Sequence, residues 1–366
     1  VSAEASYDVV VLGAGQAGLA VGYHLQRAGL VPGDDFVLVD AADRPGGSWP
    51  RMWDGLRLFS PATYSSLPGW LMPPWDDAAR GFPPRDHVVA YLRAYEERYR
   101  LAPLRPHRVR AVRRADDDPS GPLIVESPGL TLAARHVVSA TGTWDQPFWP
   151  TYPGANDFLG TQLHSSTYRR PEELAGQRVV VVGGGNSAAQ VLAEVSTVAE
   201  VTWVTQRPPR FLPDDVDGRV LFETATARVQ AQREGRAHDG VGGLGDIVMV
   251  ASVREARGRG VLEAEPMFER LVPDGIARAD GRTLSCDAVI WCTGFRPALR
   301  HLAPLHMRDD RGRVPVSGAA GTRSAREPRV HLVGYGDWVG AASATLIGVG
   351  RSAKATVAEI VDSLQK

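Results

Sequence analysis

One stretch near the N-terminus, YDVVVLGAGQAGLA, constrains the fold more than any other part of the chain. Tyr7 to Leu12 is an apolar, β-branched run that stops at glycine, as a buried parallel strand does. Gly13, Gly15 and Gly18 then form G-x-G-x-x-G. Gly13 permits the tight turn, Gly15 lets backbone approach a pyrophosphate, and Gly18 lets a helix pack closely on the strand. Gln16 to Ala28 has helical spacing with Gly29 as its stop, and Phe36 to Val39 is the next strand. That strand ends in Asp40, roughly 20 residues after the last glycine, where a carboxylate can accept hydrogen bonds from both ribose hydroxyls. The unit is strand, glycine turn, helix, strand. It predicts a dinucleotide whose phosphates face the free N–H groups of the helix start.

The pattern recurs. VVVVGGGNSAAQ, residues 179–190, gives a strand (Val179 to Val182), a turn with Gly183, Gly185 and Ala188, and a helix from Asn186 to Ser196. Alanine suffices in the third place because only close packing is asked of it. The following strand, Val201 to Thr205, ends in Gln206 and Arg207, with no carboxylate. An acid there would repel a 2′-phosphate, whereas an arginine can grip one bidentately. The first site is therefore expected to take a bare ribose, as in FAD or NAD, and the second a phosphorylated one, as in NADP.

A chain of 366 residues fits about two domains. The expected fold class is α/β: two Rossmann-like dinucleotide-binding domains, the second inserted into the first. The first domain is expected over 1–156 and 285–366, the second over 157–284. Short strands are expected at Val109 to Val112, Leu123 to Glu126, His136 to Ala140, Ala288 to Trp291 and Val330 to Val333. A helix is expected from Asp86 to about Tyr99 and a last helix from about Ser343 to Leu364. The polar stretch 208–260 gives no clear assignment.

Charge and composition narrow the partners. A net charge of -1 gives no reason to expect nucleic acid or an anionic membrane. No apolar run approaches the roughly 18 residues of a membrane span. The opening residues, VSAEASYD, carry no basic region, so no signal peptide and a cytoplasmic location are expected. No metal-ligand cluster stands out. Two dinucleotides imply electron transfer from nicotinamide to flavin, and the question is where the electrons go next. A redox disulfide would need a close cysteine pair in the first domain. The only cysteines are Cys286 and Cys292, both read as core packing. Dioxygen, a quinone or a protein partner remain as acceptors.

Residues 158–169, FLGTQLHSSTYR, spell F-x-G-x-x-x-H-x-x-x-Y-R through Phe158, Gly160, His164, Tyr168 and Arg169. This resembles the fingerprint of the flavin-containing monooxygenases, which lies just before the NADPH-binding strand in that family. GAGQAG, GGSW (Gly46 to Trp49), ATGTW (Ala140 to Trp144), GGGNSAAQ, CTGFRP (Cys292 to Pro297) and GYGDW (Gly334 to Trp338) resemble further family stretches, in the same order. The likeness is greatest to short bacterial members, which carry LFSP after GGSW and end in ASATLIGVGR. The resemblance implies FAD in the first domain and hydride delivery from NAD(P)H, and the single Arg207 beside neutral Gln206 predicts NADPH preferred with NADH also accepted. It further implies a C4a-hydroperoxyflavin that oxygenates small soft nucleophiles: thioethers to sulfoxides, amines to N-oxides, or ketones by Baeyer–Villiger insertion.

On that resemblance Gly13, Gly15, Gly18 and Asp40 contact the FAD pyrophosphate and ribose. Gly47 and Trp49 lie near the flavin, Val109 offers backbone to the adenine, and Thr141 and Gly142 line the interdomain linker. Asp337 holds the ribityl chain, and Thr345 and Leu346 open the last helix toward the flavin ring. Gly183, Gly185, Asn186, Ser187, Gln190, Gln206 and Arg207 serve the nicotinamide cofactor. Phe59, His164 and Asp337 are the positions expected nearest the chemistry. Phe59 is a departure: larger family members carry asparagine there, in an L-R-T-N-like stretch, where this chain has Leu56-Arg57-Leu58-Phe59. Gln206-Arg207 is another, with one arginine in place of a more basic cluster. The partners implied are a small-molecule substrate and dioxygen, with a homodimer left open. Alternative readings are a diaphorase that reduces a quinone or protein, and a flavin-binding module without oxygen chemistry.

Overall fold

The computed structural model describes residues 3–76, 81–115, 121–233 and 246–366. The first βαβ unit is β1 (Ala5–Leu12), α1 (Gln16–Arg27) and β2 (Phe36–Val39). After α2 (Arg85–Arg98) come β3 (Ala111–Arg114), β4 (Leu123–Ser127) and β5 (Leu130–Ser139). β1 lies between β2 and β5 and runs parallel to both. The first half of β5 closes an antiparallel hairpin with β4, which pairs in turn with β3.

The second unit contains β6 (Thr161–His164), β7 (Arg178–Val182), α3 (Asn186–Val195) and β8 (Glu200–Thr205). α4 (Gly218–Arg233), α5 (Ala251–Gly258) and β9 (Ala264–Pro266) follow. A small antiparallel sheet, β10 (Arg270–Val272), β11 (Gly275–Ala277) and β12 (Thr283–Ser285), precedes β13 (Ala288–Trp291). The main sheet here has the order β6-β13-β7-β8-β9 and is parallel throughout. The chain then returns to the first sheet through β14 (Val316–Ser317), β15 (Arg323–Ser324) and β16 (Val330–Leu332), and ends in α6 (Val349–Leu364). β16 runs parallel to the end of β5.

Strand periodicity explains the two faces of the first sheet. Val9 and Val11 pack under α1 and α6 with Leu25, Val357 and Ile360, whereas Val10 and Leu12 pack with Val112, Leu123 and Val125 on the other face. Each fully buried Val or Leu contributes roughly 1.5–3 kcal/mol. In the second domain Val179 and Val181 face α3, and Val180 and Val182 face Phe268 and Trp291.

Three local expectations are corrected. The last helix begins at Val349 rather than Ser343. Ala342 takes a left-handed φ of 57°, Ser343 Oγ donates to the Gly336 carbonyl at 2.7 Å, and Thr345 Oγ1 donates to the Ala342 carbonyl at 2.8 Å. Such side-chain bonds offer the backbone an alternative to helix. β13, within the segment 285–366 expected to belong with the first sheet, joins the second sheet between β6 and β7. β3 starts at Ala111 rather than Val109. The segment left unassigned holds α4 and α5. Among the described residues no helix is long and apolar enough to cross a membrane, and no group of His, Cys, Asp or Glu is placed to hold a metal.

Candidate active site

A cavity of about 1190 Å³ lies where β1, β2 and β5 end, with Leu12, Val39 and Ala140 in its wall. Open α/β sheets bind ligands at this edge. Gly13, Gly15, Asp40, Gly47, Trp49, Val109, Thr141 and Gly142 all line it. Gly13 has φ +97°, and a Cβ there would stand 2.6 Å from the Ala140 carbonyl oxygen. Gly47 has φ +60°, and its Cβ would stand 2.7 Å from the Gly15 Cα, so two backbones meet where a pyrophosphate must pass. Gly18 is not in this wall; a Cβ there would fall 1.8 Å from the Gly13 carbonyl oxygen, the close-packing role. No side chain caps α1 and no acid stands in its first turn, so its N–H groups are left for an anion.

Asp40 is buried, and its Oδ2 accepts from Arg105 Nε at 3.1 Å, while the other Arg105 nitrogens grip Glu96 at 2.6 and 2.8 Å. Oδ1 accepts only a long bond from the Ala42 amide, 3.4 Å, which leaves it for a ribose hydroxyl. Trp49 Nε1 donates to Gln16 Oε1 at 3.1 Å, and Gln16 Nε2 donates to the Ala344 carbonyl at 2.7 Å. Gln16 thus ties the GGSW loop to the segment before α6 across the cavity. Asp145 bridges Arg51 (2.6 Å) and Arg108 (2.7 Å), both in the same wall. Burial works against its charged form, but the two arginines outweigh it and hold its carboxyl below the ordinary range. These residues fit FAD: open helix N–H groups, a Cβ-free cradle and a carboxylate for the ribose.

Other expected positions stand elsewhere. Phe59 packs in a small cluster with Leu212, Val216 and Leu221, its ring against Gly218, and is absent from the cavity wall. Asp337 is exposed and accepts from the Ala342 amide at 3.2 Å. Its neighbour Tyr335 lines the cavity, held by Ser139 (2.6 Å) and Thr141 (2.8 Å). The Thr345 amide is bonded to the Ala342 carbonyl, and Leu346 is core. His164 is fully buried at the end of β6 between Trp149 and Phe295. Its Nδ1 accepts from the Ser166 amide at 3.0 Å, which puts the proton of the neutral ring on Nε2. Burial lowers its pKa, with the Gly294 backbone opposing. The imidazole shapes the turn that delivers Ser165 to the cavity wall.

The second glycine turn repeats the first. Gly183 has φ +136°, with a Cβ 2.4 Å from the Cys292 carbonyl oxygen, while a Cβ on Gly185 would meet no atom within 4 Å. α3 likewise has no side-chain cap and no first-turn acid. Beside it lies a cavity of about 840 Å³ lined by Gly183, Gln206, Arg207, Arg210 and Asp246, among others. Gln206 and Arg207 are exposed there. Ser187, in the first turn of α3, lines the first cavity instead, so the two cradles converge on one space. Gln190 is buried in α3. The Asn186 side chain is occupied: Nδ2 donates to the Asp246 carbonyl (3.1 Å) and Oδ1 accepts from the Val248 amide (2.8 Å).

A half-buried acid joins the domains. Glu194 of α3 accepts from Trp53 Nε1 and from Tyr168 of the fingerprint, each at 3.1 Å. Burial pushes its pKa up to about 7, against the hydrogen bonds of Tyr168 and Trp53. Cys286 and Cys292 are free, and burial raises their thiols to about 11 and about 12, so neither is a ready thiolate at neutral pH.

The model of the pyridine nucleotide-disulphide oxidoreductases matches residues 10–231. A flavin-containing monooxygenase from Stenotrophomonas maltophilia is 48% identical in sequence, with a TM-score of 0.86, covering 98% of this chain and 99% of that one. The oxidoreductase CzcO of Bacillus subtilis is 28% identical over 97% of this chain and 99% of its own length. A Baeyer-Villiger monooxygenase of Streptomyces coelicolor is 31% identical over 57% of this chain and 39% of its own. The chain belongs to the pyridine nucleotide-disulphide oxidoreductase family and, within it, to the flavin-containing monooxygenases. It is an oxidoreductase that uses FAD and NADPH, and its activity is that of a flavin monooxygenase.

Proposed function

We propose that this enzyme oxygenates small thioethers to sulfoxides at the expense of NADPH and dioxygen. The carrying observation is the shared cavity: Gly13 and Gly15 of one cradle and Ser187 of the other line the same space. Bound FAD, once reduced by hydride from NADPH, supplies the activation of dioxygen.

This chain's residues hold, orient and exclude. Gly13, Gly15 and the open amides of α1 bind the FAD phosphates, Asp40 takes the ribose, and Gly47 and Trp49 cover the flavin end. Gly183, Gly185 and the start of α3 bind the NADPH phosphates, with Gln206 and Arg207 at the 2′-phosphate. Met52, Trp53, Leu56 and Phe295 give the cavity an apolar wall. Such a wall admits an apolar sulfide and keeps water from the oxygen transfer. A soft sulfur needs no protein nucleophile or base, which suits a wall whose inner acids, Asp40 and Asp145, are held by arginines and whose third, Asp43, is exposed. His164 and Asp337 act in this reading through the backbone turns they hold.

The test is turnover of methyl phenyl sulfide under air. Sulfoxide formed in step with NADPH consumption supports the proposal. NADPH oxidation that needs an added quinone, without sulfoxide, points to the diaphorase reading.

A further inference from the structure

The end of β8, the strand after the second glycine turn, carries no acid at Gln206 or Arg207, yet the folded chain brings one to the same cavity. Asp246 lines the wall together with Gln206, Arg207 and Arg210. Its carboxylate holds Arg210, with Oδ1 at 2.9 Å from Nε and 2.8 Å from the terminal nitrogen. Arg207, by contrast, has no side-chain partner among the described residues, so the two arginines on this rim are not equivalent.

Asp246 is held in place by backbone. Asn186, the first residue of α3, binds the Asp246 carbonyl and the Val248 amide on either side. The Ile247 amide donates to the Arg210 carbonyl at 2.8 Å, and the Leu212 amide to the Ile247 carbonyl at 2.9 Å. The Asp246 side chain is 13% exposed, against 72% for Arg210. The acid is therefore the fixed member of the pair and the arginine the mobile one.

We propose that Asp246 sets the choice between NADPH and NADH, by withholding Arg210 from the 2′-phosphate and offering a carboxylate to the bare 2′-hydroxyl. The inference rests on the reading that this cavity holds the adenosine end of the nicotinamide cofactor. A 2′-phosphate brings up to two negative charges beside Asp246 and must compete with it for Arg210. A ribose hydroxyl meets no such repulsion and can donate to the carboxylate. Specificity is a difference of two affinities, and a repulsive group sets it as effectively as an attractive one. Arg207 favours NADPH, Asp246 opposes it, and the enzyme accepts both cofactors with a modest preference.

The test uses the FAD-loaded enzyme and calorimetric dissociation constants for NADP⁺ and NAD⁺, with 2′,5′-ADP and 5′-AMP as fragments carrying and lacking the phosphate. Asp246→Asn removes the charge and leaves the backbone contacts. It is expected to raise the ratio of NADP⁺ to NAD⁺ affinity about five- to tenfold, about 1–1.4 kcal/mol, with the same shift in the fragments. Adding Arg210→Met should take back the part of that gain that the freed arginine supplies and leave the part that relieved repulsion of the phosphate supplies. Arg210→Met alone, a change on an exposed side chain, should move the ratio less than twofold.

A ratio unchanged in Asp246→Asn, or a gain in the double variant as large as in Asp246→Asn alone, overturns the proposal. If Asp246→Asn does not fold, Arg210→Met alone decides: a fall as large as that of Arg207→Ala shows that Arg210 already reads the phosphate. Arg207→Ala also separates the two levels of the argument. A shift there with none in Asp246→Asn refutes only the role of Asp246. No shift in either shows that the cofactor's adenosine end lies elsewhere.

Discussion

Replacing Glu194 by glutamine should make the protein more stable at pH 8 and leave it nearly unchanged at pH 5. The carboxyl is enclosed by Trp53 and Tyr168, and a Cβ on Gly55 would stand 2.2 Å from its Oε1. Burial raises its pKa from 4.5 to about 7 in the folded state. A folded-state pKa above the unfolded one means that the native protein holds the proton more tightly. The stabilisation this gives is complete below about pH 4.5 and is lost as pH rises through 7. At about 1.4 kcal/mol per unit, a rise of that size amounts to about 3 kcal/mol between pH 4.5 and 8. Glutamine copies the neutral acid: its oxygen accepts from Trp53 and its NH₂ donates to the Tyr168 hydroxyl oxygen. Urea unfolding of both proteins at pH 5, 6, 7 and 8 reads the difference directly, since every other titrating group is common to both. The gap should open with pH to about 2–3 kcal/mol in favour of the glutamine variant. A gap that is constant with pH, or a glutamine variant less stable at pH 8, would refute the account of Glu194.

Three further outcomes follow from the geometry. Gly47→Ala forces a Cβ to 2.7 Å from the Gly15 Cα at a left-handed φ, so the purified variant should be folded by circular dichroism but colourless, with FAD affinity lowered at least a hundredfold. Arg207→Ala should raise the Michaelis constant for NADPH about tenfold, the loss of one charge-assisted bond at an exposed site, and leave that for NADH within twofold. His331 is buried with no partner for either ring nitrogen, and its pKa is lowered to about 3 by burial and by His136. A depressed folded-state pKa gives stability that is present above 6.5 and lost as pH falls below it, so His331→Leu should raise the melting temperature at pH 5 more than at pH 8.

Both glycine turns, their strands and helices, and Asp40 were legible because local sterics decide them: Gly13 and Gly183 stand where any Cβ would strike a neighbouring carbonyl. What escaped sequence reading is carried by long-range pairing. Arg105 reaches Asp40, Glu194 reaches Trp53, and Asp246 reaches Arg210, each across tens of residues and through a fold that no local pattern encodes. Asp246 matters most, since the strand end after β8 showed no acid and the tertiary structure brings one there. Its only sequence signal was a weak one, an aspartate followed by the short apolar run Ile247 to Val250 in an otherwise polar stretch. The start of α6 was misplaced because Ser343 and Thr345 side chains compete with helical bonding, a choice set by their contacts with Gly336 and Ala342. Phe59 matched a motif position, but the cluster it joins comes from Leu212, Val216, Leu221 and Val248, and the motif could not reveal that.

The most direct measurement of the central claim is the origin of the transferred oxygen. The FAD-loaded enzyme is given NADPH and methyl phenyl sulfide under ¹⁸O₂ in ordinary water, and the product is weighed by mass spectrometry. The account predicts methyl phenyl sulfoxide carrying one ¹⁸O, with close to one NADPH consumed per sulfoxide. Unlabelled sulfoxide, or NADPH oxidised with hydrogen peroxide as the sole oxygen product, would contradict it.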